Sequence, residues 1–172
     1  MSATTIRSAT ARDAASLLEI YTPFVTATAV SFELSPPAVS EFADRIERAV
    51  AGWAWLLAER GGRTLGYAYA GPHRARAAYR WSLETSVYIA PGVKGQGVGS
   101  ALYQALMPRL AERGYCNAYA AITLPNEASI ALHQRTGFEP IGTFRRVGRK
   151  FGQWHDVSWW HLTLREAPPE GD

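Results

Sequence analysis

Apolar positions along the chain follow two periods, and the switches between them predict the elements. A short strand is expected at residues 6–9. Through residues 11–28, Ala14, Leu17, Leu18, Tyr21 and Val25 fall at i, i+3, i+4, i+7 and i+11, one stripe of a helix. Pro23 lies inside that stripe and is expected to kink or interrupt it. After the loop "SFELSPP", residues 39–50 are amphipathic, with Phe42, Ile46, Ala49 and Val50 on one face. Residues 53–59 and 65–71 read as two strands around the turn "RGGRT", a hairpin signal. Residues 82–90 form the next strand. Val98, Leu102, Ala105, Leu106 and Leu110 make a helical stripe over residues 98–113, closed by Gly114. Pro108 removes the bond to the Gln104 carbonyl, so a kink is expected there. The apolar run 116–124 reads as a strand buried on both faces. Residues 126–136 suit a short helix with Asn126 as N-cap and Gly137 as stop. Two late strands follow, at 138–146 and 154–164. The order β-α-α-β-β-β-α-β-α-β-β describes a mixed α/β sheet rather than an all-parallel doubly wound one.

Neither an internal repeat nor a linker breaks the pattern. One domain is expected over residues 1–166, with a disordered tail at 167–172, "APPEGD". At 172 residues the chain is long enough for a normal core. No apolar run approaches the roughly 18 residues of a membrane span, and "MSATTIRSAT" has no apolar signal region. The single cysteine, Cys116, excludes an intramolecular disulfide and a Cys-based zinc site. Together these favour a cytoplasmic protein. The four histidines, at 73, 133, 155 and 161, lack zinc-ligand spacing, so no metal is expected. Net charge is only +3. Basic residues cluster in "HRARAAYR" and "RRVGRK", but neither has the length of a nucleic-acid arm. Binding of a small anion fits better than binding of a polymer.

Lys94-Gly95-Gln96-Gly97-Val98-Gly99 lies between a strand and a helix. Glycines let backbone N–H groups approach an anion, and the helix N-terminus favours negative charge. The spacing is Gly-x-Gly-x-Gly. It lacks the Lys-Ser/Thr of a triphosphate loop and the later acid of a dinucleotide fingerprint. A glycine-rich turn with no ligand is the plain alternative.

These residues resemble a known family. "VYIAPGVKGQGVGSALYQAL" is similar to the acetyl-CoA motif of the GCN5-related N-acetyltransferases, and "LPNEASIALHQRTGFEPIG" to their second motif. Within that superfamily, "YAYAGPHRARAAYRWSLETSVYIAP" and "FGQWHDVSWWHL" resemble the phosphinothricin N-acetyltransferase group, some of whose members act on methionine sulfoximine. The likeness implies a mixed, mostly antiparallel central sheet with helices on both faces. It implies that the backbone of Val87, Tyr88 and Ile89 bonds the pantetheine arm, and that Gly95, Gln96, Gly97, Val98, Gly99 and Ser100 hold the pyrophosphate. Asn126 would bond the same arm. Lys94 stands where the family carries Gln or Arg. It can still meet a phosphate, as a point charge.

Acetyl transfer needs a neutral amine, a polarised thioester carbonyl and a stabilised thiolate. Strand alternation sets Ser82, Glu84, Ser86 and Tyr88 on one face, and Glu84 leads into the loop. It is the candidate base. Its alternative is a surface ion pair with Arg80 or Arg76. His133 lies where many superfamily members carry Tyr, and could serve the thiolate or the amine. Its alternative is a helix histidine bonded to a carbonyl. Arg74, Arg76 and Tyr79 suit a small anionic acceptor, since an Arg fork grips a carboxylate or phosphinate. The spacing sets Arg74 and Arg76 on one side of an extended segment. Phe32 sits in a loop that similar enzymes place over the substrate. The expected activity is transfer from acetyl-CoA to the α-amine of a small amino-acid-like molecule, and the family commonly forms homodimers. The competing readings are another amine acceptor (a protein N-terminus or a polyamine) or a CoA-binding module without turnover.

Overall fold

The structure is a computed structural model that describes residues 3–169. In chain order it comprises β1 (Thr5–Ser8), a 3-10 turn (Ala11–Asp13), α1 (Ala14–Thr26), α2 (Val39–Gly52), β2 (Ala54–Arg60) and β3 (Arg63–Pro72). A second 3-10 turn (Ala77–Tyr79) leads to β4 (Ser82–Ile89), α3 (Val98–Glu112), β5 (Asn117–Thr123), α4 (Glu127–Arg135), β6 (Glu139–Lys150) and β7 (Gln153–Thr163). The strands form one seven-stranded sheet in the order β1-β2-β3-β4-β5-β7-β6. Every pair is antiparallel except β4–β5.

Local chemistry explains the boundaries. The Asp13 carboxylate accepts from the Thr10 N–H at 2.8 Å, the Thr10 hydroxyl at 3.0 Å and the Arg7 guanidinium at 2.7 and 2.9 Å. This ties β1 to the start of α1, and the Arg7 bonds pull the carboxyl down to about 2. The β2–β3 turn is Gly61-Gly62, both at positive φ, as a two-residue hairpin requires. Pro23 does not interrupt α1, and α3 continues past Pro108 to Glu112. Each proline removes one backbone bond, but buried residues continue the stripe on both sides: Tyr21 and Val25 in α1, Leu106 and Leu110 in α3.

The core lies in two layers around β2, β3 and β4. On one face, Tyr21 and Phe24 of α1 meet Tyr88, and Phe42 of α2 meets Trp55 and Tyr67. On the other face, Tyr103 of α3 approaches Thr85 of β4. Helices thus cover both faces, as expected.

Two expectations fail. Strand β5 is not buried on both faces. Ala118, Ala120 and Ile122 are buried, while Tyr119, Ala121 and Thr123 on the opposite face are not, and Ala121 is exposed. The apolar run is real, but only one face is buried throughout; on the other, Tyr119 packs on His73 and His161 while Ala121 and Thr123 border a cleft. The segment carrying Arg74 and Arg76 is also not extended. It bends at His73, Ala75 and Arg76 and then enters the 3-10 turn, because Tyr79 N–H bonds back to the Arg76 carbonyl at 2.9 Å. Strand β6 runs to Lys150, four residues beyond its expected end, across an irregularity between Phe144 and Gly148. There Arg146 takes φ 52° and its N–H bonds the Asp156 carboxylate at 2.8 Å. The expected tail lies partly outside the described residues. Within them, Pro169 packs close to Gly114.

Candidate active site

Strands β4 and β5 pair over only three positions, Ser82–Asn117, Leu83–Ala118 and Glu84–Tyr119. Beyond Glu84 they part. Strand β4 continues on β3 and strand β5 on β7. The gap is lined by Thr85, Ser86, Val87, Tyr88, Ala121 and Thr123 among others, and is capped by Val30, Asn126 and His133. The side of β4 facing this gap has lost its strand partner, so its backbone groups are available to an added extended chain. Val87, Tyr88 and Ile89 all lie in this stretch.

Glu84 stands at the root of the gap. Its Oε1 lies 2.9 Å from Nδ1 of His73, on a side chain only 15% exposed. The His73 ring stacks on Tyr119 at 4.7 Å and meets the edges of Tyr79 and Trp159. The surface ion-pair reading of Glu84 named arginines; the bond observed is to histidine. His73 is the residue that pattern reading missed. Its sequence signals were a place directly after β3, the strand that pairs with the Glu84 strand, and at the head of the basic cluster "HRARAAYR".

His133 is buried, at 3% exposure. Nδ1 lies 2.7 Å from the Ser129 carbonyl, which can only accept, so Nδ1 carries the proton. Nε2 lies 3.1 Å from the Tyr103 hydroxyl, which in turn is 3.4 Å from Thr85 Oγ1. Burial lowers the His133 pKa, and the Ser129 bond only partly offsets it. The neutral ring therefore leaves Nε2 as acceptor for Tyr103, whose own pKa is raised by burial. The carbonyl-bonded alternative and a place beside the gap hold for the same residue. Tyr103 is a second residue missed: it lies outside the stripe read from Val98, Leu102, Ala105, Leu106 and Leu110, and nothing in the sequence pairs it with His133.

The glycine loop has the conformation that only glycines adopt readily. Gly92, Gly95 and Gly97 have φ of 82, 80 and 76°, and Gly97 is the N-cap of α3. The N–H groups of Val98, Gly99 and Ser100 open the helix without intrahelical partners. A Cβ on Gly99 would lie 3.0 Å from Leu132 of α4, so this glycine also permits the close approach of α3 and α4. Lys94 is exposed. Arg60 bonds the Gln96 amide oxygen at 3.2 Å, bringing a second cation to the loop. Asn126 caps α4 through a 3.2 Å bond from the Ser129 N–H and borders the gap.

Phe32 does not line the gap itself; it packs on Gly148 of β6, where no Cβ fits, and faces His155 of β7 at 6.2 Å. Glu33 is held by Arg45 at 2.6 and 3.2 Å and by Tyr21 at 2.8 Å. Lys150, 4% exposed, donates to the carbonyls of Val25 and Ser31, both at 2.6 Å. It pins the loop that carries Phe32. The structure brings Tyr79 to the Glu84–His73 pair. Arg74 and Arg76 are exposed on the adjoining connector. Among the described residues no cluster of His, Cys, Asp or Glu could hold a metal ion.

A strand pair that splays beside a glycine-opened helix places an extended free backbone edge next to an anion-binding loop. The acetyltransferase (GNAT) domain family matches residues 6–159, and the chain belongs to that family. It is 39% identical to a phosphinothricin N-acetyltransferase of Streptomyces viridochromogenes, over 95% of this chain and 90% of that protein. It is 38% identical to an L-methionine sulfoximine/L-methionine sulfone acetyltransferase of Pseudomonas paraeruginosa, over 95% and 98%. A phosphinothricin acetyltransferase from Sinorhizobium meliloti, solved in complex with acetyl-CoA, superposes with a TM-score of 0.92 at 35% identity, covering 98% of this chain and 94% of that one.

Proposed function

We propose that the protein transfers acetyl from acetyl-CoA to the α-amine of a small anionic, amino-acid-like acceptor of the phosphinothricin or methionine sulfoximine type. The observation that carries this is a carboxylate, Glu84, at the root of the β4–β5 gap, on the strand that runs on into the glycine loop. Acetyl-CoA supplies the activated acyl group. The Val98, Gly99 and Ser100 N–H groups and the loop Gly95–Gln96–Gly97, with Lys94, suit its pyrophosphate. The free side of β4 at Val87, Tyr88 and Ile89, and the Asn126 amide, suit its arm. Glu84 takes the proton of the attacking amine on Oε2, while His73 holds Oε1 in place. His133 and the Tyr103 hydroxyl stand together beside the gap and supply the polar surroundings that stabilise the departing sulfur. Arg74, Arg76 and Tyr79 grip the acceptor's anionic group, and Phe32 covers it.

We place the enzyme in the cytoplasm and read it as a homodimer. Support for the dimer is the edge strand β6, which leaves Ile141, Phe144 and Val147 half-exposed.

The test is thiol release from acetyl-CoA with phosphinothricin, methionine sulfoximine and a panel of neutral and cationic amines. Turnover is expected with the anionic acceptors. Glu84→Gln should lower kcat on the order of 100-fold, as for loss of a general base. A variant that keeps near-wild-type kcat sinks the assignment of Glu84.

A further inference from the structure

The glycine loop between β4 and α3 does little to hold its own shape. Among the described residues, its N–H groups from Gly92 to Gly97 make two backbone bonds, and both are long. Val93 N–H reaches the Ala90 carbonyl at 3.3 Å, and Gln96 N–H reaches the Val93 carbonyl at 3.4 Å. Gly92, Gly95 and Gly97 all take positive φ, and glycine gives up more conformational freedom on ordering than any other residue. A loop that had to order itself around each ligand would lose affinity to that cost. Something outside the loop has to hold it.

Gln96 connects the loop to such a support. Its amide nitrogen donates across the loop to the Gly92 carbonyl at 3.4 Å, and its amide oxygen accepts from Arg60 Nη1 at 3.2 Å. Arg60 ends β2, beside the place where the loop leaves the sheet; there Ala90 N–H bonds the Leu65 carbonyl of β3 at 2.9 Å. A register shift between Ala58 and Glu59 breaks the ladder just before Arg60, an irregularity of the kind that re-aims a side chain. Nε and Nη2 of Arg60 both donate to Thr4 Oγ1, at 3.0 and 2.8 Å. The guanidinium is a rigid planar fork, so fixing two nitrogens on Thr4 fixes the direction of the third. Charge points the same way. Arg60 stands opposite Arg63 in the ladder, and like charges so opposed are unfavourable. Among the described residues no carboxylate pairs with Arg60. An anion at the loop offsets that cost.

We propose that Arg60 is a positioning residue for the coenzyme. Anchored on Thr4 and acting through Gln96, it holds the glycine loop in its anion-binding shape before the ligand arrives. The chain just ahead of β1, remote from the loop in sequence, thereby sets the affinity for acetyl-CoA. The proposal rests on the reading of this loop as the pyrophosphate site.

The experiment joins calorimetric titration with coenzyme A, hydrogen–deuterium exchange of the free protein and steady-state kinetics with phosphinothricin. Arg60→Met removes the charge and the fork. Thr4→Val removes only the anchor and keeps every charge at the loop. Kd for coenzyme A should rise on the order of tenfold in Arg60→Met and on the order of threefold in Thr4→Val. In both, kcat at saturating acetyl-CoA should hold, and the amides of residues 94–97 should exchange faster while those of β2 and β3 do not. Added to Gln96→Ala, Arg60→Met should raise Kd by less than about twofold more, because the two act as one link. A Kd unmoved in both single variants overturns the proposal, as does full additivity with Gln96→Ala. A rise in Arg60→Met alone, with loop exchange unchanged, also overturns it, since that is charge attraction without a held loop. Faster exchange spread through β2 and β3 overturns it as general loosening. A wild type that binds no coenzyme A counts against the proposed function itself.

Discussion

The Glu84–His73 bond locates the chemistry at single side chains. A carboxylate that bonds an imidazole through one oxygen keeps that oxygen oriented and leaves the other free for the amine. A hydrogen bond to a charged group contributes about 1.5 kcal/mol or more, and 1.36 kcal/mol is tenfold in rate. His73→Gln should therefore lower kcat on the order of tenfold and leave KM for acetyl-CoA unchanged, because His73 is remote from the glycine loop. Steady-state kinetics with both substrates varied would read this. An unchanged kcat would mean that Glu84 needs no orienting partner. His133 gives a prediction about stability. Its pKa in the folded chain is lowered by burial. Above the unfolded value of about 6.5 the ring is neutral in both states, and its contribution is fully present. As pH falls below that value, the unfolded chain binds a proton that the folded chain refuses, and stability declines until the folded ring itself titrates. Urea unfolding at pH 7.5 and pH 5.5 should show this decline in the wild type. It should be smaller in His133→Gln; equal slopes would contradict it.

Elements bring these side chains together, and one element acts from far along the chain. The last residue of β6, Lys150, donates to the C-terminal turn of α1 at the Val25 carbonyl and to the following loop at the Ser31 carbonyl. A cation is favoured at a helix C-terminus. Lys150→Met would leave two carbonyls without their donor, at a cost of about 3 kcal/mol. Denaturant unfolding should register that loss, and KM for the acceptor should rise while KM for acetyl-CoA holds, because the loop carries Phe32. If both constants rise together, the effect reaches the acetyl-CoA site as well and is not confined to release of the loop. Much at this scale was legible in sequence. Periodicity located α1, α2 and α3, the Asn126 cap and Gly137 stop located α4, and the Gly61–Gly62 turn announced the β2–β3 hairpin. What periodicity could not carry was partnership. The parting of β4 from β5 after Glu84 depends on which strands lie beside them, and β7 enters between β5 and β6 through contacts distant in sequence. That is why β5, apolar from Ala118 to Ile122, read as buried on both faces. The same gap in information hid His73 and Tyr103. Each is an ordinary core or loop residue until the sheet sets it against Glu84 or His133.

At the scale of the whole molecule, the sheet ends on one side in β6, a twelve-residue edge strand paired only with β7. Long exposed edges invite association, and Arg145, Arg146 and Arg149 supply charges that discourage simple strand addition. The apolar side chains offer a face instead. Phe144 and Trp154 are each 51% exposed. Phe144 lies 5.7 Å from the Trp159 ring, and Trp159 lies 6.1 Å from His73. Phe144 is thus linked, through two ring contacts, with the partner of Glu84. A homodimer built on this face would border the active site and hold Trp159 against His73. Substituting Phe144→Lys and Trp154→Lys together removes two half-exposed rings without entering the core, so the fold should survive, as circular dichroism would show. Light scattering should then change from a dimer to a monomer at micromolar concentration. Activity should fall with it, because the support behind His73 is lost. A wild type that is already monomeric would remove the dimer from this account. A monomeric variant with full activity would keep the dimer and sever it from catalysis.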